Sequence, residues 1–205
     1  MADLRMNRAK FRNHLHYSGW KYILAVIVSI GLVSILFDAT RYRPPREHTT
    51  SLYLTTSFAL ADRLREELRP LLLSRFPEQE ELNVQNIDLS QDDTYRRMQY
   101  ATYLGAGEGD VLLLSAEEYA RLIGGSAADT VVVDLTAYAA EGLLTLPEGE
   151  AFRVPADGLT GLSAYGCKTE GAFLCVLARS PNARTAAGLI GILQERYGAG
   201  ERAEP

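Results

Sequence analysis

The sequence predicts an α/β protein in which a single N-terminal transmembrane helix precedes a three-layer α/β domain, its sheet mostly parallel and closed by an antiparallel hairpin. Two observations predict this. Residues 22–37 (YILAVIVSIGLVSILF) form an unbroken uncharged run, and with snorkelling flanks at Trp20 and Lys21 the run approaches the ~20 residues a helix needs to cross a bilayer. From residue 51 to residue 197, segments of period two alternate with segments of helical period, the order that builds β-α steps with right-handed crossovers. The organisation expected is a basic cytoplasmic segment over 1–21, the membrane helix over 22–40, a linker over 41–50, an extracytoplasmic domain over 51–197 and a polar tail over 198–205.

Charge divides along the same line. The net charge of −5 combines +5 over residues 1–44 with −10 over residues 45–205. A basic stretch beside an apolar run suits a leaflet of anionic lipid, and a domain this acidic is a poor partner for nucleic acid. Membrane lipid is therefore the partner expected for residues 20–40, and nucleic acid is excluded as a main partner. Arg5, Arg8, Lys10, Arg12 and Lys21 precede the run and Arg41, Arg43 and Arg46 follow it, so the positive-inside bias places the N-terminus in the cytoplasm. A cleaved signal peptide would show small residues at A-x-A spacing, and the exit from the run, Leu36-Phe37-Asp38-Ala39-Thr40, lacks them.

Beyond the paired prolines of the linker, residues 51–57 (SLYLTTS) alternate as a first strand, and Leu60, Leu64, Leu68, Leu71 and Leu72 set a helix over 58–76. Residues 82–89 (LNVQNIDL) alternate again, and Asp92 or Asp93 caps a helix over 94–104 that ends in a glycine turn at 105–109. The run DVLLL at 110–114 has the continuous apolar character of a strand buried on both faces. Ser115 and Glu118 form a capping box for a helix over 116–123, stopped by Gly124 and Gly125. Residues 130–135 (TVVVDL) read as a strand, a short helical piece follows near Tyr138, and residues 143–155 read as an irregular crossing. Residues 159–167 and 172–179 read as the closing antiparallel hairpin, and Ser180 with Pro181 opens a last helix to Tyr197.

In open α/β sheets ligands bind beyond the carboxyl ends of the strands, where strand order switches. That rule names Thr55, Thr56 and Ser57 after the first strand, Ser90 after the second and Ser115 after the third, with Tyr138 and Tyr165 as aromatic walls. Each also has a plain structural explanation: Ser57 and Ser115 as helix caps, Thr55 and Thr56 as strand residues, the tyrosines as core. A catalytic reading has less to work with. Asp88, Asp92, Asp110 and Asp134 offer carboxylates for a hydrolase, but the three histidines are His14, His16 and His48, none of them inside 51–197. The two cysteines, Cys167 and Cys175, make neither a C-x-x-C nor a zinc-ligand set, and either a disulfide or two buried thiols fits their spacing. No metal site and no cofactor is expected, because GAGEG at 105–109 precedes a strand instead of following one.

The order of segments resembles the first lobe of extracytoplasmic solute-binding proteins of the type II periplasmic-binding fold. The likeness runs through RFP at 75–77 followed by LNV at 82–84, GDVLLL at 109–114, DLTAY at 134–138, RVP at 153–155 through AYG at 164–166, AFLCVLA at 172–178 and SPNARTAA at 180–187. The resemblance implies a bacterial envelope protein that binds without catalysis. In that family two lobes close on a ligand, whereas this chain has residues for one lobe, held by a membrane helix in place of a lipidated cysteine. A single lobe is expected to engage a partner protein, a second copy of itself or a small solute, and so to serve as a binding or accessory subunit. The β-α order is also similar to parts of a thioredoxin-like fold, whose redox C-x-x-C is missing here.

Overall fold

The computed structural model describes residues 8–198, apart from 43, 91, 92 and 126 and from the side chains of 8–18 and 38. The chain divides into two compact units at residue 43. The first contains α1 (Arg8–Thr40), a helix that extends the predicted membrane segment back into the basic N-terminal region. Its stretch Gly19–Phe37 has a mean hydropathy of 2.1 and no residue buried within the chain. By length and composition it can cross a membrane, as an anchor or as a signal sequence would. Two of its hydroxyls are spent internally: Ser29 donates to the Ala25 carbonyl at 2.8 Å and Thr40 to the Leu36 carbonyl at 2.7 Å, so neither exposes an unmet donor in an apolar solvent.

The second unit is α/β with a mixed five-stranded sheet. A 3-10 turn (Arg46–His48) leads into β1 (Thr49–Leu54), then α2 (Ala61–Arg75), β2 (Glu81–Asn86), α3 (Thr94–Gly105) and β3 (Val111–Ser115). Three short helices follow, α4 (Ala116–Ile123), α5 (Ala128–Val131) and α6 (Thr136–Ala140), then β4 (Val154–Pro155), a 3-10 turn (Thr160–Tyr165), β5 (Ala172–Val176) and α7 (Ala183–Tyr197). Strand order is β2-β1-β3-β5-β4; β1 runs parallel to β2 and β3, and β5 runs antiparallel to β3 and β4.

Strand alternation sorts the core into two clusters, one on each face. Leu52, Leu54, Val111, Leu113, Leu174 and Val176 face α2 and α7, where they meet Leu64, Leu68, Leu72, Leu189 and Ile190. Tyr53, Leu112, Leu114 and Cys175 face the opposite way, toward Tyr100 and Leu104 of α3 and Leu122 of α4. On the first face α7 packs unusually close, since a Cβ at Gly191 would collide with the Leu143 carbonyl oxygen and one at Gly188 with the Phe76 ring. Several local signals are realised as read. Ser115 accepts from the Glu118 amide at 3.3 Å, Asp93 caps α3 by accepting from the Tyr95 amide at 2.9 Å, and Gly124 ends α4 with φ 56°; Asp92, the other capping candidate, lies outside the described residues.

Five expectations are corrected. Residues 159–167 are not a strand: Leu159 and Leu162 bury themselves at a spacing of three, which suits the 3-10 turn that forms, and Gly166 closes it at φ 82°. The expected hairpin between 159–167 and 172–179 therefore does not form, and β5 pairs with β3 and β4 instead. Residues 130–135 give only a bridge between Val132 and Leu177, because α5 takes up the start of the run. Ser180 is not the cap residue of the last helix, a place Asn182 takes; the Ser180 hydroxyl donates to Asp110 Oδ1 at 2.5 Å and accepts from the Asn182 amide at 3.0 Å. The linker is also shorter than 41–50, since Arg46 belongs to the fold and β1 begins at Thr49.

Candidate functional site

Strand β1 has β2 on one side and β3 on the other, with α2 on the first face and α3 on the second, so strand order reverses at the carboxyl ends of β1 and β3. This is where the sequence placed its hydroxyls, and the structure spends most of them on the fold. Thr55 donates from Oγ1 to the Leu113 carbonyl at 2.7 Å. Ser57 donates to the Gly166 carbonyl at 2.7 Å and accepts from the Lys168 amide at 3.0 Å. Asn86, from β2, donates to the carbonyls of Leu54 and Ser57 at 3.0 and 2.6 Å. The segment from Tyr165 to Lys168 thus lies across the end of β1, and the Leu60 amide donates to the Tyr165 carbonyl at 2.8 Å. Thr56 Oγ1 is buried and has no partner among the described residues.

The other predicted residues scatter. Ser90 donates from its amide and hydroxyl to Asp88 Oδ1 at 3.0 and 2.5 Å, and Arg96 stands 3.3 Å from the same carboxylate. Ser115 caps α4. Tyr138 lies half-buried against the first core on α6, beside α7. The Tyr165 hydroxyl donates to Glu67 and its ring stands 5.7 Å edge-on from Tyr197, so its side chain belongs to the junction of α2 and α7. Arg196 also pairs with Glu67, and the Tyr165 and Arg196 bonds hold that carboxyl below its ordinary value against the opposing effect of desolvation.

Asp88 and Asp110 do not form a pair, and Asp92 lies outside the described residues. The β1 register puts Asp88 level with Thr56 and Asp110 level with Ser51, which at ~3.3 Å per residue separates them by about 16 Å along the strands. Asp110 is fully buried and saturated: Arg46 donates to both of its oxygens at 2.9 Å, the Ser51 amide donates at 2.7 Å and Ser180 at 2.5 Å. Asp134 is exposed, and its bonds to Thr136 hold its carboxyl below the usual range. The two cysteines are free and stand in different cores, Cys167 on the α2/α7 side and Cys175 on the α3/α4 side. The sheet therefore separates them, and burial pushes the Cys167 thiol up to about 11 and the Cys175 thiol up to about 12. Among the described residues no group of His, Cys, Asp or Glu is placed to hold a metal.

An open concavity lies elsewhere, on the second face at the opposite end of β3. It is a pocket of about 180 Å³ lined by Leu104 at the end of α3, Leu122 of α4, Thr130 and Val131 of α5, and Leu177 and Arg179 after β5. Sequence reading missed it because its walls are the last turns of three short helices, whose apolar residues read as ordinary core. The one local signal was Arg179, a charge directly after the apolar run AFLCVLA. Arg46 was missed for a related reason: it sits among linker charges, and only its partner Asp110, a carboxylate abutting VLLL, hinted at a buried cation. No protein-family model, no curated protein and no solved structure matches this chain.

Proposed function

We propose that this is a single-span membrane protein, N-terminus in the cytoplasm, whose extracytoplasmic α/β domain is a non-catalytic binding or accessory module. The observation that carries the reading is the helix stretch Gly19–Phe37, apolar on every side and with none of its residues buried within the chain. Apolar surface of that extent needs a solvent other than water, and lipid supplies it. The asymmetry of basic residues around the stretch favours the stated orientation.

The binding part of the reading is supported by how the domain uses its polar groups. Of the hydroxyls at the strand ends, those of Thr55, Ser57 and Ser115 are engaged in caps and carbonyl bonds, and Asp88 and Asp110 are each tied to arginine. Acid–base chemistry needs positioned and uncommitted partners. The return of β5 into the sheet beside β3, and the packing of α7 back onto the first face, are in keeping with the solute-binding-like lobe read from the sequence.

Alkaline carbonate extraction of membranes containing the full chain tests the reading. The expected result is a chain of undiminished mass that stays in the membrane pellet. Release into the supernatant, or recovery of a shortened chain that has lost residues 1–40, would overturn the anchor.

A further inference from the structure

We infer that the second-face pocket binds a small carboxylate with an apolar tail. The inference rests on the binding-module reading and gives that module a ligand class. Four of its lining residues, Leu104, Leu122, Val131 and Leu177, are aliphatic. Water in such a space finds few hydrogen-bond partners, so apolar atoms gain by replacing it. Its volume of about 180 Å³ lies below the roughly 300–1,000 Å³ of pockets that take drug-sized ligands. That suits a short aliphatic chain and is too small for a nucleotide or a folded peptide segment.

The charge of the ligand follows from Arg179. This side chain is exposed and lines the pocket, and it has no carboxylate partner among the described residues. Other arginines on the same side of the sheet are committed: Arg96 to Asp88 and Asp93, Arg97 and Arg121 to Glu118, Arg153 to Glu150. A free guanidinium at the edge of an apolar pocket selects an anion that can accept two parallel bonds, which a carboxylate does. The other polar side chain, Thr130, donates its hydroxyl proton to the Ala127 carbonyl at 2.6 Å and so offers a ligand only an acceptor, which leaves the choice of charge to Arg179.

The walls can adjust to such a ligand. Neither α3 nor α5 contributes a fully buried residue, and Gly107, which lines the pocket with φ 71°, has open space around it. One side is nevertheless fixed, because Arg46 donates to the Gly107 carbonyl at 3.3 Å from its ion pair with Asp110.

The test is a calorimetric titration of the full chain in phosphatidylcholine nanodiscs, with empty nanodiscs as the blank and hexanoate, hexylamine and inorganic phosphate as probes. Saturable hexanoate binding is expected, with hexylamine and phosphate weaker by roughly ten-fold or more, the scale of one charge-assisted contact. Arg179→Gln should weaken hexanoate by a similar factor, and filling the pocket with Leu122→Phe or Val131→Trp should abolish it while circular dichroism stays native. Absence of saturable hexanoate binding, equal binding of hexylamine, or an unchanged Arg179→Gln titration would each overturn the inference. These outcomes leave the anchor reading standing, which is tested separately by carbonate extraction and by the mass of the chain recovered.

Discussion

The two faces of the sheet are built differently. On the first, α2 buries Leu64, Leu68 and Leu72 completely, and α7 buries ten residues with glycines that let it approach its neighbours closely. On the second, α3 and α5 bury no residue fully, and the single buried residue of α4 is Glu118, held by Arg97 and Arg121. The same strands feed both faces, so the difference lies in the helices. Long helices with a wide apolar stripe make the first face the stable half. Short helices with half-buried tyrosines and leucines leave the second with less to lose on opening.

The largest expected effect comes from a contact both faces depend on. Arg46→Ala would leave Asp110 buried without its cation at the amino ends of β1 and β3, a change that costs about 3–5 kcal/mol. Urea unfolding of the full chain in non-ionic detergent, followed by circular dichroism, should show that loss as one transition. Separate transitions would mean that the faces unfold independently. Next comes a direct comparison: Leu68→Ala on the first face should cost about 2–5 kcal/mol, and Leu122→Ala on the second only about 1 kcal/mol. Equal losses would erase the distinction. Gly191→Ala should cost about 1–3 kcal/mol by forcing α7 from the Leu143 carbonyl, measured in the same unfolding assay.

The smallest effect concerns the thiols. Their pKa values are raised in the folded state from an ordinary 9.0 to about 11 and about 12. The folded chain therefore holds these protons more tightly than the unfolded chain. Their contribution is complete below pH 9 and is lost as pH rises through that window. Maleimide should accordingly label neither cysteine in the native protein at neutral pH and both in urea. If Cys167 alone labels readily, the packing under the 3-10 turn is looser than its burial indicates.

How much of this was legible depended on whether the signal was local. Ser115 with Glu118, the glycine at 124 and the run VLLL each fix their own structure through contacts a few residues away, and the sequence reading placed α4 and β3 correctly. Leu159 and Leu162 were misread because alternation among small residues and glycines fits a strand as well as a 3-10 turn, and the choice is made by burial under Tyr197. Ser180 reads as a cap, and its oxygen does accept from the Asn182 amide, but the helix cap falls two residues later and a buried carboxylate seventy positions earlier in the chain takes its proton. The candidate site was less legible still. Strand-end rules pointed to a crevice that residues 165–168 cross, and the pocket arises from helix ends that only the tertiary packing brings together.

Topology is the most direct test, because every functional statement assumes the domain is displayed beyond the lipid. Cysteines can be placed at two positions, Ala2→Cys and Lys168→Cys, the latter at an exposed side chain. A membrane-impermeant maleimide added to intact cells is predicted to label the cysteine at position 168 at once and the one at position 2 only after permeabilisation. Labelling of position 2 in intact cells with position 168 protected would contradict the account.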